Sequence, residues 1–253
     1  MIPLRDANPT RRTPVVTLGL TGACFVGWAY QLGLLADGGP ALEAFVTTWG
    51  VVPADLTAAW AAGDILSVET ATLITSQFLH GGWLHILGNL LYLWIFGNNI
   101  EDRFGRIPFL VFYLAGGAVA GLAQVAIDPT STVPTIGASG AIAAALGAYL
   151  VLFPRARITS LVFLGFFYQL IDVPALIVLA FWFVLQLIDG IASLGFTGAG
   201  GVAFFAHIGG FVFGAGVAFL VDRLTRRPAR PTGTFGALEG GGADRPSGPG
   251  SVG

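Results

Sequence analysis

Four residues of this 253-residue chain have the types and spacing needed for nucleophilic catalysis. Ser139 stands in Gly137-Ala138-Ser139-Gly140, and His207 stands in Ala206-His207-x-x-Gly210-x-x-x-Gly214. A serine hydroxyl becomes a nucleophile when an imidazole takes its proton, and the imidazole later returns that proton to the leaving group. His85 and Asn89 are four apart, so on a helix they share one face. Both can donate hydrogen bonds, and such donors can stabilise the oxyanion of a tetrahedral intermediate. The backbone N–H of Ser139, at a helix start after Gly137, adds a further donor and a favourable dipole. The serine motif is not the GxSxG elbow of soluble hydrolases, because residue 141 is Ala. Each element also has a purely structural reading. Gly137 to Gly140 could serve helix packing, His207 could bridge helices, and His85 and Asn89 could cap them.

The elements that must position these groups are set by composition. The chain is 55% hydrophobic and only 10% charged, with a mean hydropathy of +0.78. Soluble domains carry about 25% charged residues. The 12 basic and 14 acidic side chains are too few to coat a globule of this size, so the expected class is a polytopic membrane protein. A net charge of −2 and a pI near 5.8 give no reason to expect nucleic acid as a partner. Cys24 is the one cysteine, which excludes an intrachain disulfide and a Cys-rich zinc site. His80, His85 and His207 lack HExxH or another clear ligand spacing, so no metal and no cofactor are expected.

Six apolar segments are long enough to cross a bilayer, or close to it: 15–36, 83–98, 107–127, 136–153, 174–194 and 203–221. The run 158–171 is also apolar but short, and is expected to be an interfacial or re-entrant piece. With the N-terminus inside, six spans place all 12 arginines on the cytoplasmic side, while loop 37–77 carries five acidic residues and no Arg. A seventh span at 158–171 would put Arg223 to Arg230 outside. The first span starts like a signal peptide, but its apolar run is long and lacks a small-residue cleavage motif, which suits a retained anchor. Loop 37–77 is long enough to have structure of its own, and its Trp49 and Trp60 suit a lid lying in the membrane interface. The organisation read from these features is a cytoplasmic N-terminus 1–14, a membrane domain 15–224 and a disordered Gly/Pro-rich cytoplasmic tail 225–253. The all-Arg basic set hints at a GC-rich, bacterial genome, and hence at a bacterial inner membrane.

This topology fixes depth. Spans 2, 4 and 6 all run inward, so His85, Asn89, Ser139 and His207 fall within roughly 10 Å of one another along the membrane normal. Lateral approach is encoded too. Gly140, Ala144 and Ala148 form a small-residue stripe on span 4, and Ala206, Gly210 and Gly214 form another on span 6. Such stripes let helix backbones pack closely in lipid. Packing one on the other could bring the Ser139 hydroxyl to the His207 imidazole. Polar groups at membrane depth are functional by default.

At this point the residues resemble a known family, the rhomboid intramembrane serine proteases. The likeness covers roughly 64–222. His80-xxxx-His85-xxx-Asn89 is similar to the family's HxxxxHxxxN. Gly97-xxx-Glu101-x-Arg103-x-Gly105 is similar to GxxxExRxG, Gly137-x-Ser139-Gly140 to GxSG, and Ala206-His207-xx-Gly210-xxx-Gly214 to AHxxGxxxG. The resemblance implies an all-α bundle of six transmembrane helices with a long first extracellular loop in the interface. It implies a Ser139–His207 dyad without an acid, and an oxyanion hole of His85, Asn89 and the Ser139 amide. Glu101 and Arg103 become a structural, hydrogen-bonded loop on the cytoplasmic side, and His80 a structural residue at the base of the lid. Spans 2 and 5 become a lateral gate.

Two departures stand out. Some members carry an aromatic residue one turn after the nucleophile, stacked on the catalytic histidine, and here that position is Ala143. Phe204, Phe205 or another helix would have to orient His207 instead. The lid also lacks the Trp-Arg pair of many members, reading Glu69-Thr70-Ala71-Thr72. Phe96, Phe181, Trp182 and Phe183 would supply bulky packing for the lateral gate, though most of them are expected as plain lipid-facing aromatics, and loop 195–201 as an ordinary turn or a cap over the site. The implied partners are transmembrane protein substrates and the lipid bilayer. The rival reading is an inactive rhomboid-like protein that holds transmembrane clients; such members usually lose Ser or His, and this chain keeps both.

Overall fold

The structure, a computed structural model, describes residues 2–36, 38–164, 167–193 and 203–225. It opens with a strand, β1 (Ile2–Asp6), and a 22-residue helix, α1 (Val15–Ala36). Three short helices follow, α2 (Gly39–Trp49), α3 (Pro53–Ala61) and α4 (Val68–Thr75), and then a 3-10 turn at Ser76–Phe78. The second long helical run is α5 (Trp83–Tyr92), a π-helical turn at Leu93–Gly97, and α6 (Asn98–Phe104). Next come α7 (Arg106–Ile127), α8 (Ser139–Leu152), β2 (Arg157–Leu164), β3 (Phe167–Pro174), α9 (Ala175–Ser193) and α10 (Phe204–Thr225). The helices coincide with the six apolar segments to within a few residues. Loop 37–77 has the structure of its own that its length implied. Among the described residues three helices, Val15–Ala36, Arg106–Ile127 and Phe204–Leu224, are long and apolar enough to cross a membrane, and Ser139–Leu152 and Ala175–Leu185 are shorter apolar helices.

The core is organised around α8, where every residue from Gly140 to Tyr149 is buried. Its Gly and Ala positions let neighbours approach to backbone distance. A Cβ added at Gly116 of α7 would lie 2.6 Å from the Ala144 methyl, and one added at Gly140 would lie 2.5 Å from the Ala120 methyl. The closest approach is to α10, which packs more extensively on α8 than on any other element. A Cβ at Gly210 would land on the Gly140 carbonyl, and one at Gly214 on the Ala144 carbonyl. The two stripes expected on spans 4 and 6 therefore meet each other. In lipid the driving force for such association is packing and hydrogen bonding rather than the hydrophobic effect.

The purely all-α reading needs correction. Strands β1, β2 and β3 form a three-stranded antiparallel sheet in that order, with β2 and β3 in register from Arg157↔Pro174 to Leu164↔Phe167. The segment 158–171, expected as an interfacial or re-entrant piece, is most of this strand pair. Its Ile158, Thr159 and Val162, with Tyr168, Ile171 and Val173, are β-formers. β1 is an edge strand, which is where Pro3 can be accommodated because the ladder needs no N–H from it. The first residues are thus more than a plain terminus. Asp6 accepts hydrogen bonds from Asn99 Nδ2 (2.5 Å) and from the Tyr149 hydroxyl (2.8 Å), and the Arg11 amide donates to Asp102 (3.1 Å). β1, α6 and the far end of α8 are joined there. The tail 226–253 and loop 195–201 lie outside the described residues.

Candidate active site

The local backbone presents Ser139 deliberately. Gly137 has φ +126°, a conformation that favours glycine, and its amide donates to the Ser76 carbonyl at 2.9 Å. The chain then turns directly into α8, whose first residue is Ser139. The four N–H groups at a helix start lack intrahelical acceptors, so the Ser139 amide is a free-standing donor by its position.

The stripe contacts carry His207 to the serine. His207 is 8% exposed, and its Nε2 lies 2.7 Å from Ser139 Oγ across 68 residues of sequence. When the Ser139 hydroxyl donates, Nε2 accepts and the ring proton sits on Nδ1. That is the tautomer a general base requires.

His85 faces the same place. The Gly81 amide donates to His85 Nδ1 at 3.2 Å, so Nδ1 is the acceptor and Nε2 carries the ring proton. A Cβ added at Gly137 would lie 2.6 Å from that Nε2 and 3.6 Å from Ser139 Oγ. Both atoms therefore come within 4 Å of one point, and an N–H donor is aimed at the turn that leads into Ser139. Asn89, one helical turn on, is buried, and its Nδ2 has no hydrogen-bond partner among the described residues. A buried donor left unpaired costs about 1–3 kcal/mol. Such an expense is expected where a group is held ready for an acceptor that arrives.

His80 is 1% exposed, and its ring lies edge-on to His85 with centroids 5.2 Å apart. Its backbone is held by Gln31 of α1: His80 N–H donates to Gln31 Oε1 (2.9 Å) and Gln31 Nε2 donates to the His80 carbonyl (3.0 Å). Sequence reading passed over Gln31, although a lone amide in an apolar helix was a visible signal.

Glu101 lies away from these groups. Its carboxylate accepts from the Val16 amide (3.0 Å), the Thr17 amide (2.8 Å) and the Thr17 hydroxyl (2.8 Å). It thus caps the N-terminus of α1, where a negative charge is favoured. Gly97 leaves room for this junction: a Cβ there would stand 3.5 Å from Thr17 Oγ1 and 2.8 Å from a Leu93 methyl. Arg103 is exposed at the end of α6.

The aromatics expected to face lipid divide. Phe181 is 56% exposed. Phe96 is fully buried, edge-on to Tyr149 at 5.0 Å. Trp182 and Phe183 turn inward onto α10, and the Trp182 ring lies on the His207 imidazole with centroids 5.8 Å apart. Ala143, by contrast, is buried and offers only a methyl.

The family model described as Rhomboid domain matches residues 67–223, which include all of these groups except Gln31, Val16 and Thr17. The chain belongs to the rhomboid family. It is 41% identical over 78 residues to the rhomboid protease GluP of Bacillus subtilis, covering 31% of this chain and 15% of that protein. It is 36% identical over 101 residues to the mitochondrial rhomboid protein 1 of Saccharomyces cerevisiae, covering 36% and 28% respectively. It is 34% identical over 159 residues to the mitochondrial RHOMBOID-like protein 12 of Arabidopsis thaliana, covering 55% and 43%. The matches thus span less than half the length of each of these relatives. Rhomboid membership makes this a membrane protein with a polytopic helical domain, and relatives named both as proteases and as rhomboid-like proteins occur in bacteria, mitochondria and plants.

Proposed function

We propose that this rhomboid protein is an intramembrane serine endopeptidase that cleaves transmembrane protein substrates with a Ser139–His207 dyad. The observation that carries the reading is the 2.7 Å approach of His207 Nε2 to Ser139 Oγ at the start of a buried helix. In the first step His207 takes the Ser139 proton while Oγ attacks the peptide carbonyl. The developing oxyanion is met by the Ser139 amide, His85 Nε2–H and Asn89 Nδ2–H. Collapse expels the amine, which receives the proton from His207, and leaves an acyl-serine. Water, deprotonated by His207, then releases the second product.

The architecture in this proposal has six spans and a membrane domain over 15–224. The segment 1–14 and the tail 225–253 are cytoplasmic, and the membrane is a bacterial inner membrane. The distribution of arginines supports that orientation. So does the clustering of β1, α6, the end of α8 and the β2–β3 pair at one end, near Arg5, Arg103, Arg155 and Arg157. Loop 37–77, with Trp49 and Trp60 partly exposed and Leu66 almost fully so, suits a seat in the opposite interface. Substrates with small or helix-breaking residues near the outer face would be favoured, because an intact helix hides its carbonyls.

The test is reconstitution with a single-span substrate and labelling by a fluorophosphonate probe, comparing wild type with Ser139→Ala and His207→Ala. Cleavage and labelling should vanish in both variants. Persistent cleavage by Ser139→Ala would overturn the mechanism, and a folded wild type that neither labels nor cleaves would favour the client-binding reading.

A further inference from the structure

His207 must present Nε2 to Ser139 Oγ throughout the reaction, yet an imidazole can turn about its two side-chain torsions. What restrains it is visible on α10. His207 and Phe211 are four residues apart and share one face of that helix. Trp182 of α9 covers both, with centroids 5.8 Å from His207 and 6.1 Å from Phe211, its plane tilted 39° and 30° from theirs. Phe183 stacks on Phe211 at 4.5 Å and anchors the same stretch of α9 to α10. On the α8 side the positions that meet α10 are small, Gly140 lying against Gly210 and Ala144 against Gly214. They bring the backbones together but give the imidazole no flat surface to lie against.

We propose that Trp182 is a positioning residue for His207, its indole forming the wall that keeps the imidazole aimed at Ser139. The inference rests on the Ser–His reading above and adds a residue from a helix that carries none of the four motifs. It makes the general base depend on where α9 sits: an α9 that moves away from α10 takes the wall with it.

The experiment uses the full chain in detergent micelles and a small fluorophosphonate probe, which reports on the activated serine without requiring a helical substrate to enter. Trp182→Phe keeps an aromatic wall, whereas Trp182→Leu keeps apolar bulk without one. Loss of the wall should slow labelling by about ten- to hundredfold, the scale of an angstrom-level misplacement. Trp182→Leu is expected to show that loss with a displaced pH profile of labelling and an unchanged unfolding midpoint. Trp182→Phe should recover most of the rate. Wild-type labelling rate and pH profile in Trp182→Leu would overturn the proposal. So would wild-type labelling combined with faster cleavage of a single-span substrate, since the indole would then act only as a plug against lateral entry. Failure of the Ser–His reading itself is distinguishable, because wild type would then label no faster than Ser139→Ala.

Discussion

Gly210 of α10 rests on the carbonyl oxygen of Gly140 of α8, so closely that a Cβ at Gly210 would land on that oxygen. One residue before Gly140 is Ser139, and three before Gly210 is His207. The separation of the two helix backbones at this point therefore sets the 2.7 Å between Nε2 and Oγ. Gly210→Ala should push the helices apart. Overpacking of this kind costs about 1–3 kcal/mol, and an angstrom of displacement in the reacting pair costs about a hundredfold in rate. Cleavage per folded molecule and the thermal midpoint should both fall. Full activity in a folded Gly210→Ala protein would show that backbone contact does not set the distance from Nε2 to Oγ.

Gln31 and His80 hold each other through two reciprocal hydrogen bonds, side-chain amide to backbone. Gln31→Ala would orphan a buried N–H and a buried carbonyl, at about 1–3 kcal/mol each. The expected result is a marked drop in stability in micelles. Activity should fall as well, because His80 borders His85. A thermal melt unchanged by Gln31→Ala would mean water replaces the amide at no loss.

Glu101 is expected to matter for folding and not for chemistry. Its carboxylate serves three donors at the start of α1, and hydrogen bonds to a charged group contribute about 1.5–3 kcal/mol each. Glu101→Gln removes the charge and one acceptor oxygen, so the unfolding midpoint should drop while turnover per folded molecule holds. Loss of turnover with an unchanged midpoint would contradict a scaffold role.

Asp6 supplies a pH-dependent contact at the end of the molecule that holds β1. Burial pushes its carboxyl above the ordinary value of 3.8, against the lowering effect of the Tyr149 hydroxyl, the Asn8 backbone and Asn99. A raised value means the docked strand favours the protonated acid. The stabilisation is full below pH 3.8 and is lost as pH rises through the raised value. Hydrogen exchange of the Ile2–Asp6 amides, corrected for intrinsic rates, should show protection falling across that window. Asp6→Asn keeps an acceptor for both partners and should make the protection flat with pH. Equal slopes in the two proteins would rule out Asp6 as the titrating group.

Much of the site could be read along the chain because its information is local or periodic. Apolar runs of about 20 residues define the helices, the i, i+4 stripes define which faces can approach, and His85 and Asn89 share a face by spacing alone. A structural part for Glu101 came only from the family resemblance, which did not give its hydrogen-bond partners Val16 and Thr17. The sheet was not legible: the stretch from Ile158 to Ile171 is mostly apolar, broken by Thr159, Ser160 and Gln169 without regular alternation, so neither the β2–β3 pairing nor that of β2 with β1 leaves a clear period in the sequence.

By itself, the sequence determined a chain of membrane-protein composition with Ser139, His207, His85 and Asn89 on or at the start of apolar helical segments. Only the tertiary structure decided that Gln31 clasps His80, that Asp6 ties β1 to Asn99 and Tyr149, and that Trp182 walls His207. The reason is physical. Spacing along one helix fixes which residues share its face, but a contact between two elements depends on how each is rotated and set against the rest of the packed bundle.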